Sequence, residues 1–390
     1  MTQKSELMTV PFHVAAVGEE EAQAAAAVIR SGWLTMGPQT FAFEKEFAAY
    51  VGAPHAVAVS SCTAALHLAL EGLGIQPGDE VLLPTTTFTA TGEVVCYLGA
   101  KPVLVDIDPV SMNFDPSDAA RKITARTRAM IPVHLAGVPC EMKQIRDLAL
   151  SHGLSVIEDA AHALPASYQG VPIGALSEVT AFSFYATKTL TTGEGGMLTT
   201  GNKDLADRMR IMRLHGIGRD AWNRYSHDGS WFYQVLDAGF KYNMTDIQAA
   251  IGRVQLRKCD DLATARQSVA TRYSAAFSGI SALEVPECDG ARKTSWHLYV
   301  LRLRLENLSI DRNTFITELK NRGIGTSVHF IPLHLHPFYQ KAFGYKPGDL
   351  PQAEHEYERA ISLPIFPTMN EAEVAAVITA VCEITQQFGR

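Results

Sequence analysis

A lysine that condenses with a carbonyl compound has to sit where its amine can lose its charge, and Lys188 has such surroundings. It follows the aromatic run Phe182-Ser183-Phe184-Tyr185 and precedes Thr192-Gly193-Glu194-Gly195-Gly196, whose glycines let a backbone approach a ligand closely. A solvated surface charge is the ordinary alternative for a lysine. Imine chemistry would require three partners elsewhere: a carboxylate, a flat aromatic face and a cradle for an anion. Asp159 ends the apolar run Val156-Ile157-Glu158-Asp159, where it can keep a ring nitrogen protonated or cap the next turn. His162, three residues on, reads as a ligand contact or a turn residue. Phe88 lies among Thr85, Thr86, Thr87 and Thr89 beyond another apolar run, offering a ring face or filling the core. Ser60-Ser61-Cys62-Thr63-Ala64 passes from a strand pattern into a helical one. Unpaired amides and hydroxyls there suit a phosphate, with plain N-capping by Ser61 or Thr63 as the alternative. Ser183 supplies a further hydroxyl close to Lys188.

Other chemistries find less support. There is no G-x-x-x-x-G-K-S/T run, and Gly72-Leu73-Gly74 follows a helical stretch with the wrong downstream spacing, so an isolated phosphate is expected rather than a pyrophosphate. His334 and His336 would share one face of a strand, but no cysteine or carboxylate cluster accompanies them. No metal site is expected, and this histidine run is read as the rim of a substrate pocket.

The elements that would position these groups follow from apolar spacing. Short apolar runs at 56–60, 80–84, 102–106, 129–133 and 154–158 alternate with helical spacing at 64–73 and 142–150, the pattern of buried parallel strands with crossover helices. A long helix is expected from about 243 to 277, then a strand at 296–303, a helix at 312–322 and a strand at 325–330. The fold class is α/β, with a large domain over 1–255 and a smaller α+β domain over 256–390, on which the segment near 1–20 is expected to pack.

A formal charge of −7 gives no basic footprint for nucleic acid or an anionic membrane. Six cysteines (Cys62, Cys96, Cys140, Cys259, Cys288, Cys382) form no C-x-x-C pair and read as reduced thiols. With neither an apolar leader nor a spanning run, a cytoplasmic location is expected, with small molecules and further copies of the chain as partners.

Taken together and in order, Ser31-Gly32-Trp33-Leu34-Thr35-Met36-Gly37-Pro38, Ser60-Ser61-Cys62-Thr63-Ala64, Glu158-Asp159-Ala160-Ala161-His162-Ala163, Phe182-Ser183-Phe184 with Lys188, and Gly239-Phe240-Lys241-Tyr242-Asn243-Met244-Thr245-Asp246 carry a resemblance. Over nearly its whole length the chain resembles the DegT/DnrJ/EryC/StrS sugar aminotransferases, and within them the UDP-4-amino-4-deoxy-L-arabinose transaminases. The resemblance implies fold type I of the pyridoxal-phosphate enzymes, similar to aspartate aminotransferase, with a mostly parallel central sheet. It implies that Lys188 forms the Schiff base, Asp159 pairs with the pyridine nitrogen and Phe88 stacks on the ring. Thr63, Ala64 and Ser183 would hold the phosphate, and His162 would lie by the ring hydroxyl. The family's G-Y-N-Y-R-M segment reaches the phosphate of the neighbouring subunit; here Lys241 and Asn243 replace its asparagine and arginine, and a lysine meets phosphate as a point charge. A homodimer with shared sites follows. Gly32, Leu34, Thr35, His329 and Phe330 would border the substrate. Cys62 departs from the glycine or alanine of many relatives.

The activity so implied is transfer of an amino group from L-glutamate to a UDP- or dTDP-linked keto sugar. A dehydratase of the same fold would carry histidine in place of Lys188. A non-catalytic homologue would not need Lys188, Asp159 and Ser183 together.

Overall fold

Continuous apolar runs flanked by amphipathic segments build a single large sheet, because strands covered on both faces have no polar side to alternate. The computed structural model describes residues 8–218, 232–287 and 289–390. Its first part runs α1 (Glu19–Ser31), α2 (Pro38–Val51), β1 (His55–Val59), α3 (Cys62–Gly72), β2 (Glu80–Pro84), α4 (Thr89–Tyr97), β3 (Lys101–Val105), α5 (Pro116–Lys122), β4 (Thr127–Met130), α6 (Met142–His152) and β5 (Ser155–Asp159). There follow β6 (Ser167–Tyr168), β7 (Val171–Pro172), β8 (Val179–Ser183), β9 (Gly196–Thr200) and α7 (Lys203–Met212). Seven strands form one sheet in the order β1-β9-β8-β5-β4-β2-β3, in which β9 is antiparallel to both neighbours and the others share one direction. The carboxyl ends of β1, β2, β5 and β8 therefore bring Ser60, Thr85, Asp159 and Ser183 to one edge, where α/β sheets bind ligands.

The later elements are α8 (Asp246–Phe277), β10 (Leu283–Glu284), β11 (Arg292–Lys293), β12 (Tyr299–Leu303), α9 (Arg312–Asn321), α10 (Pro337–Phe343), α11 (Pro351–Arg359), β13 (Ala360–Leu363) and α12 (Glu371–Phe388). β10, β12 and β13 make an antiparallel sheet. Ala249, Leu256 and Cys259 of α8 belong to the core under the large sheet, whereas Val269, Ala270, Tyr273 and Phe277 belong to the core around β12 and β13. Position 255 thus lies inside α8, and we propose this helix as the joint between two units. Val10 joins the second core and bonds Gly323 and Gly325 through its backbone. Among the described residues no helix is long and apolar enough to cross a membrane. Cys288 lies outside the described residues, and the other five cysteines are free thiols.

The strand expected at 325–330 is not one. Only single bridges, Ile324 to Val10 and Ser327 to Ser362, hold it. Its side chains are spent individually instead of alternating: Gly325 leaves no room for a Cβ beside the Phe12 amide, and His329 turns to hydrogen-bond Ser362.

The motif from Ser31 to Pro38 has a structural task. No side chain of its own caps α2; the Asp246 carboxylate, more than 200 residues away, accepts from the amides of Gly37 (2.8 Å), Gln39 (3.1 Å) and Thr40 (2.9 Å) and from the Thr40 hydroxyl (2.7 Å). An anion at a helix start satisfies orphan donors and the positive dipole end together. A Cβ on Gly37 would run into the Trp33 indole and the Asp246 carboxylate. Replacing Asp246 by alanine strands these buried donors, and urea unfolding is expected to show a loss of about 3 kcal/mol; a change below about 0.5 kcal/mol would contradict this anchoring.

Candidate active site

Alternation along β8 sets up the site. Phe182 packs on Phe47 (ring centroids 5.0 Å apart) and Phe184 on Phe43 (5.4 Å), so Ser183 between them faces the other way, into a cavity. The chain then turns, with the amide of Lys188 bonded to the Tyr185 carbonyl (2.9 Å), and returns through Gly193 at φ +79°. A Cβ on Gly196 would meet the Ser61 carbonyl and the Cys62 amide, so the start of β9 is pressed against the start of α3. There Ser61 Oγ accepts from the Ala64 amide (3.1 Å), which is the plain cap foreseen as an alternative. The earlier first-turn amides, at Cys62 and Thr63, remain available at the helix start.

The cavity, about 500 Å³, is lined from below by Ser61, Cys62, Thr63, Thr91, Asp159, His162, Ser183 and Lys188, and from the other side by Phe12, His13, His297, His329 and Phe330. Lys188 is half-buried and lines this space. Burial lowers its pKa to about 8, against the opposing pull of Cys62 and Asp159. Its Nζ is 3.4 Å from His297 Nε2.

Asp159 accepts from the Ala161 amide (3.1 Å) on one oxygen and from the Thr91 hydroxyl (2.8 Å) on the other, and Thr91 is in turn 2.8 Å from the Thr87 hydroxyl. Burial pushes its carboxyl above the usual range. Among the described residues no cation stands within ion-pair distance of it. His162 Nδ1 accepts from the Ala136 amide (3.2 Å), which puts the proton of the neutral ring on Nε2. Burial, then the Lys188 charge, hold it neutral.

Of the residues expected at a site, Thr63, Phe88, Asp159, His162, Ser183, Lys188, His329 and Phe330 line this cavity. Phe88 stands at its mouth, 59% exposed, with its ring 5.9 Å from that of Phe330. Ala64 is buried outside the lining, its amide taken by Ser61. Gly32, Leu34 and Thr35 are exposed elsewhere, and Lys241 and Asn243 lie on the backbone ladder beside Leu214 and Val59, also outside the lining. The reading of His334 and His336 as one strand face is corrected: residues 333–335 form a 3-10 turn, and buried His334 bridges Thr85 (2.8 Å) and Glu354 (2.9 Å). Sequence reasoning passed over His297, His13 and Thr91. Thr91 was the one with a signal, lying in the first turn of α4 just after the threonine cluster.

The donor set suits pyridoxal phosphate. A buried carboxylate without a cation of its own fits a protonated ring nitrogen, a lysine amine of lowered pKa fits an imine, and a helix start against a glycine fits a phosphate. The DegT/DnrJ/EryC1/StrS aminotransferase family model matches residues 15–382. The chain is 49% identical over 378 residues to the spore coat polysaccharide biosynthesis protein SpsC of Bacillus subtilis, covering 97% of each. Its structure is similar to Spr1654 of Streptococcus pneumoniae in the PMP-form, with a TM-score of 0.91 and 32% identity, covering 97% of this chain and 98% of that one; that protein is also solved in a PLP-form. PseC of Helicobacter pylori superposes with a TM-score of 0.90 at 27% identity, covering 98% of this chain and 100% of PseC. The chain therefore belongs to the DegT/DnrJ/EryC1/StrS aminotransferase family and has the fold of its pyridoxal-phosphate-dependent sugar aminotransferases.

Proposed function

We propose that this chain transfers the amino group of L-glutamate to the keto group of a UDP- or dTDP-linked sugar, giving an amino sugar nucleotide and 2-oxoglutarate, as a cytoplasmic homodimer. The observation that carries the reading is the Lys188 amine, lowered to about 8 by burial at a cavity that also holds a buried carboxylate with no ion-pair partner among the described residues. The names of SpsC, a polysaccharide biosynthesis protein, and of PseC, an aminotransferase involved in the biosynthesis of pseudoaminic acid, support a sugar acceptor.

Bound pyridoxal phosphate supplies a conjugated ring that accepts the electron pair left when the donor loses its α-proton. The chain does the remaining work. Asp159 keeps a proton at the ring nitrogen, and Thr91 fixes the carboxylate by occupying one oxygen. Thr63, Ser183 and the start of α3 bind the phosphate, and Phe88 covers a ring face. His162, with its proton on Nε2, donates toward the ring hydroxyl. Lys188 Nζ takes the proton from the donor's α-carbon as a base and returns it as an acid. At pH 7 roughly a tenth of an amine titrating at about 8 is neutral, against well under a thousandth at the ordinary value. Lys241, exposed and outside its own chain's cavity, is free to reach the phosphate of a second copy.

Borohydride is expected to fix the cofactor to the peptide bearing Lys188, and Lys188→Ala to lose both the Schiff-base absorbance and turnover; trapping at another lysine would overturn the assignment. Because the folded pKa lies below the ordinary one, cofactor reloading of the apoenzyme should accelerate as pH rises through about 8 and level off above it, as followed by absorbance. A shared site predicts that inactive Lys188→Ala and weakened Lys241→Ala chains recover activity when refolded together, whereas activity no greater than the sum of the separate chains points to self-contained sites. Incubating enzyme and glutamate with a panel of keto nucleotide sugars, and measuring 2-oxoglutarate, tests the acceptor; release with no member of the panel would remove the nucleotide-sugar reading.

A further inference from the structure

His297 is placed beside Lys188 at a cost. Its ring is 6% exposed, its Nε2 faces Lys188 Nζ at 3.4 Å, and its Nδ1 has no hydrogen-bond partner among the described residues. A buried ring nitrogen left unpaired is a rare arrangement in a folded protein. The preceding Trp296 adopts φ +51°, a left-handed conformation that a bulky residue seldom takes. The backbone is gripped at this point: Arg266 of α8, 1% exposed, donates from Nη1 to the carbonyls of Trp296 (3.4 Å), His297 (3.2 Å) and Ile365 (2.7 Å), while its Nε and Nη2 find no partner among the described residues. On its open face the ring packs 4.3 Å from His162.

We propose that His297 is a positioning residue for the amine, its Nε2 lone pair accepting a hydrogen from Lys188 Nζ and so aiming the rest of the amine into the cavity. Both the amine and the ammonium have a hydrogen to donate, so the contact survives each change of protonation state that acid–base work requires. It demands a neutral imidazole, because an imidazolium has no lone pair. Burial first, then the charge of Lys188 and, behind it, that of Arg266, keep His297 well below the ordinary histidine value. Of the other titratable groups at the cavity, which also include Tyr185 and Glu194, His13, His162 and His329 are likewise held low by burial, and Asp159 and Cys62 are pushed up by it. His297 is therefore the neutral acceptor within reach of Nζ in the structure.

This inference rests on Lys188 being the reactive amine proposed above, and its test reads the amine directly. In the apoenzyme, competitive acetylation of Lys188 across pH, quantified by peptide mass spectrometry, should give a midpoint near 8. In His297→Phe, which keeps a ring against His162 but removes the acceptor, the ammonium loses its partner and the midpoint should fall by about one pH unit. His297→Gln, which returns an acceptor oxygen, should restore most of it, and the same order should appear in the rate of the glutamate half-reaction. Circular dichroism and melting confirm folding; if the phenylalanine variant does not fold, His297→Asn, whose shorter side chain withdraws the acceptor, takes its place. A midpoint unchanged in the acceptor-less variant, or equally lowered in the glutamine variant, overturns the proposal. Borohydride trapping at a lysine other than Lys188 would instead overturn the functional reading, leaving the midpoints to report on this pair alone.

Discussion

Holding an amine and a carboxylate in one largely apolar cavity is the constraint around which the molecule is arranged. Each charge alone would be expelled to water or neutralised. Lys188 is shifted down and Asp159 up by burial, and each partly offsets the other at a distance. A backbone amide and a threonine hydroxyl serve the two Asp159 oxygens and so favour the charged form against that burial. Both groups sit at the carboxyl edge of a sheet whose strands are buried on both faces, so the rigid core is continuous with the reactive groups. The far wall comes from segments packed with the smaller sheet, and its histidines stay neutral by the same burial.

Much of this was readable in the residues, for identifiable reasons. Parallel strands announce themselves as short apolar runs, so β1 to β5 fall within a few residues of their expected spans. The cavity-lining groups at strand ends, Asp159 and Ser183, are legible because a polar residue terminates an apolar run. The later part was harder. The run at 325–330 alternates like a strand, yet its side chains serve separate partners, and pairing to Ser362 alone does not make a ladder. His297 lies just ahead of a strand pattern and nothing local distinguishes it; its meaning comes from Lys188, 109 positions earlier in the chain. Gly37 and Asp246 were both legible as motif residues, but their partnership across the chain was not, because nothing local links a helix start to a carboxylate 209 positions away.

The helix α8 ties these observations together. Its first residue, Asp246, anchors α2 and the glycine-proline turn before it, while Arg266, about 30 Å further along the same rod, holds the backbone at His297. A 32-residue helix that enters both cores transmits position between them without a flexible hinge in between. The amine's neighbour is thus set by the second core, and the amine itself by the first. Any rotation of one unit against the other would change the Lys188 to His297 distance before it disturbed Asp159, whose side chain is held by the turn after β5 and by α4. In the roles proposed above, cofactor polarisation would fall to groups fixed to one sheet, whereas the aim of the proton-transferring amine would depend on a contact that spans two cores.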